Sequence, residues 1–479
     1  MTANLSRRRF IEGAAVSSLA TFGPLSSRVA AKDPVINDVS QLNPVRVAEE
    51  RRPRSTDEVR AGLRGWSGSV SVGGGRFSMG GQIAAPQSMH LDMRGMNQVS
   101  AFDASGRMIR VQAGITWRDI QDVVDRHDLS VKTMQSYSNF TVGGSVSVNC
   151  HGRYVGHGPL INSVRAVQLV TADSEVLELS RSQHPELFHA VFGGYGGLGV
   201  VTEVELELEP NSRIERVVRD VQLERYPAFF REQVLSDAQV VLHNADLSPP
   251  TFDTPRSITW RQTDKPLTQH HRLIPRGVDY NLEKNAIWAL TELPGGNRLR
   301  EKIADRLLLK KRAVVWRNFE ASLDAASLEP RTRKISTYLL QEYFVPVERF
   351  VRFARDMAGI LKTHNVNALN ISIRHSPADT KTLLTWAPTE MFSFVLYYKQ
   401  QNSERASAAV RVWTRELIDA VLGNGGRYYL PYRLDATRAQ FGRAYPEARA
   451  FAALKARVDP GNRFRNLLWG KYLSLRDGE

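Results

Sequence analysis

The sequence predicts an α+β fold in two parts, and three observations carry that prediction. Up to about residue 210 the chain alternates short strands with short helical pieces and is broken by three glycine-rich stretches. From about Ile214 the pattern changes to long amphipathic helices alternating with separated strands. The chain has 479 residues, 42% hydrophobic and 24% charged, which is ordinary globular composition but too long for one compact core.

Residues 1–31 are set aside from the fold. Ser6-Arg7-Arg8-Arg9-Phe10-Ile11 matches the twin-arginine export pattern, and Val29-Ala30-Ala31 offers small residues for cleavage, with Arg28 leaving the exact position open. The apolar stretch 13–23 is interrupted by Ser17, Ser18 and Thr21 and is too short to span a bilayer. The expected location is the periplasm or outside the cell. The single cysteine, Cys150, permits no internal disulfide and says nothing about compartment.

Residues 44–58 read as a leading strand and a short helix. Val70-Ser71-Val72 is a strand, and residues 117–127 are a helix with Ile120, Val123 and Val124 on one side. Residues 164–170 and 176–179 form a hairpin around the turn Thr171-Ala172-Asp173-Ser174. A short helix over 185–191 leads to a strand over 200–208, where Val204, Leu206 and Leu208 alternate with Glu203, Glu205 and Glu207. Beyond 210, residues 296–315 read as a basic helix with Ile303, Leu307, Leu308 and Val314 on one face. That helix is either a peripheral contact with membrane or anionic substrate, or a solvated face. Strands are expected over 334–345, 366–375, 383–387 and 392–398. Helices are expected over 347–364 and 406–422, the latter stopped by Gly423-Asn424-Gly425-Gly426. The second part therefore reads as an antiparallel sheet backed by helices.

The three glycine stretches are the chemical signal. They are Gly73-Gly74-Gly75-Arg76-Phe77-Ser78-Met79-Gly80-Gly81-Gln82, then Ser136 to Gly152 around Thr141-Val142-Gly143-Gly144, then Gly193 to Thr202. Glycine lets backbone approach a ligand closely, and successive amides make a concave anion nest. Several such loops suit an extended, pyrophosphate-bearing cofactor. The first loop is not followed by the helix of a βαβ unit, so no nicotinamide fingerprint is read here.

The order and content of these loops resemble the PCMH-type FAD-binding domain of the vanillyl-alcohol-oxidase superfamily. Met89-His90-Leu91-Asp92-Met93 and Ile109-Arg110-Val111-Gln112-Ala113-Gly114 follow as in that family. The resemblance implies an FAD domain over 40–210, a substrate (cap) domain over 211–430 and a closing segment over 431–479 that returns to the FAD domain. It implies FAD contacts from Gly73, Gly74, Gly75, Arg76, Phe77, Ser78 and Gln82. A second set is Ser136, Thr141, Gly143, Gly144, Ser147, Asn149, His151 and Gly152, and a third comprises Gly199 and Val201. Many relatives attach FAD to a histidine where this chain has Phe77, and Asn139 marks the region of a second attachment cysteine, so FAD is expected to be non-covalent. Cys150, just before His151-Gly152, either lies against the flavin or packs as a small apolar residue.

A second resemblance lies in the cap. Leu340-Gln341-Glu342-Tyr343-Phe344-Val345-Pro346 is similar to a strand of alditol and aldonolactone oxidases, in which a later strand carries Glu-x-Arg over the flavin. Here Asn370-Ile371-Ser372-Ile373-Arg374-His375 keeps the arginine and has Ser372 for the glutamate, both pointing to one side. The relatives' C-terminal lysine segment is replaced by Tyr429-Leu430-Pro431-Tyr432-Arg433, so Tyr432 or Arg433 is expected near its place. The stretch Gly426-Arg427-Tyr428-Tyr429, with Ala444-Tyr445-Pro446, also resembles decaprenylphosphoryl-ribose oxidases, without their lysine. Arg374, Ser372, Tyr432 and Arg433 are the expected catalytic residues, and no metal site is expected. For the proton acceptor, Tyr343, Tyr397, Tyr432 and His151 stay open, with His375 on the wrong side of its strand.

The implied activity is oxidation of a CH–OH group of a sugar, sugar acid or related alcohol. Amine or cytokinin-type oxidation and a non-catalytic flavin module are the alternatives. Oxygen, a quinone or a cytochrome would serve as acceptor. The net charge of +14 either favours anionic partners, a small-molecule substrate among them, or reflects a basic compartment, and no nucleic-acid motif accompanies it.

Overall fold

Two small sheets precede and flank the first glycine loop. β1 (Val35–Ile36) pairs with β2 (Val45–Arg46), and β3 (Glu49–Arg51), β4 (Val70–Gly73) and β5 (Met89–Asp92) form a parallel sheet in the order β3-β5-β4. The helix between β3 and β4 runs over Thr56–Arg64, further than the sequence suggested, because Ser55 caps it through the Glu58 amide. The structure, a computed structural model, describes residues 33–281, 284, 312–329 and 332–473. The expected export leader and residues 296–311 of the basic helix lie outside them. Pro34–Glu479 clusters as one unit.

The next six strands form an antiparallel sheet: β6 (Val99–Asp103), β7 (Met108–Gln112), β8 (Leu129–Val131), β9 (Val164–Val170), β10 (Val176–Ser180) and β11 (Val200–Pro210). Their order is β10-β9-β11-β7-β6, with β8 pairing further along β11. The alternation read in β11 has its physical outcome here: Val204, Leu206 and Leu208 are buried, while the three glutamates stay partly exposed. The β9–β10 hairpin sets Val170 opposite Val176. Helices Trp117–Val124 and Val142–Val148 bury Trp117, Ile120, Val124, Val142 and Val146 in the same core as Ile109, Val167 and Val204.

The rest of the chain builds an eight-stranded antiparallel sheet. Its strands are β12 (Arg213–Asp220), β13 (Val240–Leu247), β14 (Arg256–Gln262), β15 (Val314–Trp316), β16 (Ser336–Pro346), β17 (Ala368–Ser376), β18 (Met391–Gln401) and β19 (Arg427–Tyr428). They run in the order β15-β12-β14-β13-β17-β18-β16-β19. One face packs under helices Phe350–Thr363 and Glu404–Gly423: Leu339, Tyr343, Ile373, Phe394 and Tyr398 share a core with Phe353, Met357, Trp413 and Leu417. The second helix ends where Gly425 takes φ +73°, the left-handed backbone that glycine tolerates. Among the described residues no helix is long and apolar enough to cross a membrane.

Two expected elements differ. Val314 and Val315, read as the end of the basic helix, are strand residues, with Val315 opposite Ile214. Both are β-branched and buried against a neighbouring strand. Residues 383–387 do not form a strand. The Asp379 amide donates to the Ala387 carbonyl and closes a loop that buries Leu384, Trp386 and Ala387 as a plug.

The C-terminal segment clamps the glycine loops. The Val70 amide donates to the Arg463 carbonyl at 2.7 Å, and the Arg465 amide returns to the Val70 carbonyl at 2.9 Å. Lys455 Nζ donates to the Gly197 carbonyl, Asn466 Nδ2 to the Tyr195 carbonyl and Trp469 Nε1 to the Gly194 carbonyl.

Candidate functional site

The three glycine loops converge because they are tied to one another. The Gly75 amide donates to Thr141 Oγ1, and a Cβ on Gly74 would stand 2.2 Å from that oxygen, so the first two loops meet closer than any side chain at Gly74 would allow. Gln82 Nε2 donates to the carbonyls of Leu430 and Tyr432, both at 2.7 Å, and the Met79 amide donates to the Pro431 carbonyl. The amides of Arg76, Phe77 and Ser78 donate to nothing among the described residues.

Two adjoining cavities lie against these loops, and the second also meets the open face of the large sheet. The first, of about 740 Å³, is lined by Gly74, Ser78, Gln82, Gly143, Gly144, Ser147, Gly199 and Val201, together with Tyr195 and Gly196. The second, of about 1240 Å³, is lined on one side by Gly74, Gly75, Arg76, Phe77, Ser78, Ser136, Thr141, Gly144, Cys150 and His151. Its other side is made of Tyr338, Leu340, Glu342, Arg374, Val395, Tyr397, Tyr429 and Tyr432. The cavities share Gly74, Ser78, Ile83, Gly144 and Val148, so one elongated ligand has room to run through both.

Of the residues expected to hold the cofactor, Gly73, Asn149 and Gly152 do not line either cavity. Gly73 ends β4 against the His90 ring. Asn149 is turned away: its amide side chain donates to Asp379 and Thr382, and its carbonyl accepts from Trp386 Nε1. A Cβ at Gly152 would stand 2.1 Å from the Met134 carbonyl oxygen, which is backbone packing rather than ligand contact.

Of the four expected catalytic residues, Arg374 and Tyr432 reach the second cavity. Arg374 Nε is buried with no hydrogen-bond partner among the described residues. Ser372 stays on the same strand face but does not line the cavity; it lies opposite Val395 on one side and Asp246 on the other. Arg433 turns away and pairs with Asp435, Nε to Oδ2 at 2.7 Å. Of the open proton acceptors, Tyr343 faces the helices and donates to Gln341, and His375 pairs with Glu390 at 2.7 Å among Phe230 and Phe392. Tyr397 lines the cavity. Burial pushes the phenols of Tyr397 and Tyr432 up, so neither ionises near neutrality.

The residue that sequence reasoning passed over is Glu342. It is 3% exposed, and its Oε1 lies 2.7 Å from His151 Nε2. The Tyr432 hydroxyl donates towards Oε2 at 3.5 Å. Burial raises the Glu342 pKa, but His151 and, after it, Arg374 outweigh burial and hold the carboxyl below its ordinary value. The signal was present: an acidic residue stands inside the apolar run Leu339 to Val345. Tyr137, Glu329 and Arg333 also line this cavity, with Arg333 tied to Glu329 at 2.8 Å. Cys150 is buried at the wall of this cavity, and burial pushes its thiol far up.

Ser136 Oγ and Arg374 Nε are buried polar atoms at the cavity wall that nothing in the described chain satisfies. Buried donors of this kind are normally paired, so both are available to a ligand in the cavity.

Comparison with known proteins gives a consistent picture. The profile described as "FAD binding domain" matches residues 50–180. The chain is 24% identical over 432 residues to L-gulonolactone oxidase of Bos taurus, covering 87% of this chain and 92% of that protein. It is 31% identical over 166 residues to the alditol oxidase of a Streptomyces species, covering 34% and 39% of the two chains. It is 30% identical over 168 residues to cytokinin dehydrogenase 1 of Arabidopsis thaliana, covering 34% and 29%.

Proposed function

We propose, from the premise that this chain is an FAD-linked oxidoreductase of the vanillyl-alcohol-oxidase superfamily related to aldonolactone and alditol oxidases, that it oxidises a CH–OH group of a sugar, sugar acid, lactone or related polyol. The observation that carries this reading is the double cavity, with a backbone wall of glycine loops on one side and Arg374 and Glu342 on the other. The residues fit a flavin dinucleotide. Unpaired amides at Arg76, Phe77 and Ser78 suit a pyrophosphate, and Ser136 Oγ is an unsatisfied donor for a polar ring edge.

When bound, FAD supplies a ring that accepts a hydride. The chain supplies the rest. Arg374 places a fixed positive charge in a buried wall, where it stabilises negative charge developing during reaction. Tyr338, Tyr397, Tyr429 and Tyr432 give the cavity an aromatic lining. The match that runs through most of the chain is to a lactone oxidase, whereas the cytokinin dehydrogenase match spans about a third of it, which favours CH–OH over amine oxidation.

Phe77 stands where many relatives have the attaching histidine, and its ring packs 4.4 Å from Phe140, which supports FAD held without a covalent bond. Export through the twin-arginine leader, with oxygen, a quinone or a cytochrome as acceptor, completes the reading. The test is direct. Purified protein should show a flavin spectrum that bleaches anaerobically with L-gulono-1,4-lactone or xylitol, and acid should release the yellow flavin. Colourless, folded protein that takes up no FAD would end the reading.

A further inference from the structure

Oxidising an alcohol needs an acceptor for the hydroxyl proton within hydrogen-bond reach. This inference rests on the function proposed above. The resemblance to alditol and aldonolactone oxidases implies a Glu-x-Arg carboxylate on the strand that holds Arg374, and this chain has Ser372 there. In the sheet, Ser372 lies opposite Val395 of β18, and Val395 lies opposite Glu342 of β16. Directly paired residues share a face, so Glu342 and Ser372 stand in one row two strands apart, roughly 10 Å at the usual strand spacing. Glu342 thus puts a carboxylate in the same row, at the cavity that Arg374 lines.

The other groups on this wall are poorly suited. Tyr397 and Tyr432 are phenols that burial keeps protonated. His151 turns Nε2 to Glu342, and its Nδ1 is sealed from solvent. Glu342 turns Oε1 to His151 and Oε2 towards Tyr432, itself a cavity residue.

We propose that Glu342 takes the proton of the substrate hydroxyl, with His151 as the positioning residue that holds the carboxylate from the facing wall. The O–H bond breaks and its proton passes to Glu342. The C–H bond breaks and its electron pair leaves as hydride to the oxidised flavin. The carbonyl forms, the substrate loses two electrons and the flavin gains two. The groups facing Glu342 are His151 from the loop after the helix at 142–148, Arg374 from β17, Ser393 from β18, and Tyr429 and Tyr432 from the C-terminal segment. The phenols stay neutral, so protonation of Glu342 is the event that would switch the carboxylate off as pH falls.

The test uses the flavin-loaded protein, Glu342→Gln, Glu342→Asp and His151→Gln, with L-gulono-1,4-lactone and xylitol as probes. Glu342→Gln should keep its FAD content and slow anaerobic bleaching by about 100-fold or more. Glu342→Asp, which keeps a carboxylate, should recover at least about a tenth of the rate. The wild-type rate should fall only below the ordinary carboxylate range, and that acid limb should vanish in Glu342→Gln. His151→Gln should keep its FAD content and move the acid limb to higher pH, because Glu342 loses the neighbour that holds its carboxyl below the ordinary value. Bleaching of Glu342→Gln within about threefold of wild type, or an acid limb unmoved in His151→Gln, would overturn the proposal while leaving the function intact. A wild-type flavin that neither probe bleaches would overturn both.

Discussion

The two walls of the cavity are made differently. The glycine-loop wall is main chain, held by the C-terminal clamp through Gln82, Lys455, Asn466 and Trp469. The sheet wall is side chain, set by strand register: Glu342, Val395 and Arg374 face the cavity because their neighbours face the helices. A backbone wall specifies where a cofactor lies and tolerates little change in shape. A side-chain wall specifies what happens there, and single substitutions should alter rate without emptying the site.

The largest expected effect breaks the first wall from a distance. Lys455 Nζ donates to the carbonyls of Gly197 and Phe464 and to the buried carboxylate of Asp459, at 2.7 to 2.9 Å. Lys455→Met leaves Asp459 buried without its counter-charge, which costs about 3–5 kcal/mol. A lower melting temperature and weaker FAD retention should appear together in thermal denaturation and flavin release. Unchanged FAD retention would separate the clamp from the loops.

Arg374→Met probes the second wall. It removes a buried positive donor at the reacting edge and should slow bleaching by about 100- to 1000-fold, roughly 2.7–4 kcal/mol. FAD content should stay at the wild-type level. Loss of flavin instead would mean that Arg374 belongs to cofactor binding.

A pH effect of about 3 kcal/mol is built beneath the first loop. His90 is buried beside Ser71, and burial first, then Arg76, pushes its pKa down to about 4. The unfolded histidine titrates near 6.5, so the unfolded chain binds a proton that the folded one refuses. Stability should therefore fall as pH drops from about 6.5 towards 4, by about 3 kcal/mol in all for this group. Denaturant unfolding of His90→Gln across that range should show a shallower slope than wild type.

The same contrast explains what was legible in the sequence. The glycine wall was legible because its residues are local and chemically narrow: Gly74, Ser78, Thr141 and Gly144 were read from their loops and all line the cavities. Asn149 and Gly152 sat in the same motif but turned to packing, since a motif fixes sequence neighbours and not direction. Strand alternation gave Arg374 its face. It could not give Glu342 its role, because that depends on which strand lies two places away, and β16 reaches β17 only through β18. The 383–387 plug was misread for a similar reason: a short apolar run buries equally well as a strand or as a loop.

Tyr432 should show the smallest effect, and it separates a catalytic phenol from a lining one. The sequence set it near the place of a relative's lysine. In the fold its hydroxyl stands 3.5 Å from Glu342 Oε2, at the outer limit of a hydrogen bond, and burial keeps it protonated. So long a contact contributes under about 1 kcal/mol. Tyr432→Phe keeps the ring, its packing 6.0 Å from Tyr429 and the shape of the cavity. Bleaching should slow by less than about fivefold, and the acid limb should stay in place because the Glu342 carboxylate is untouched. A loss of about 100-fold would move the proton-handling role from the sheet to the C-terminal segment, and the division between a binding wall and a reacting wall would fail at that residue.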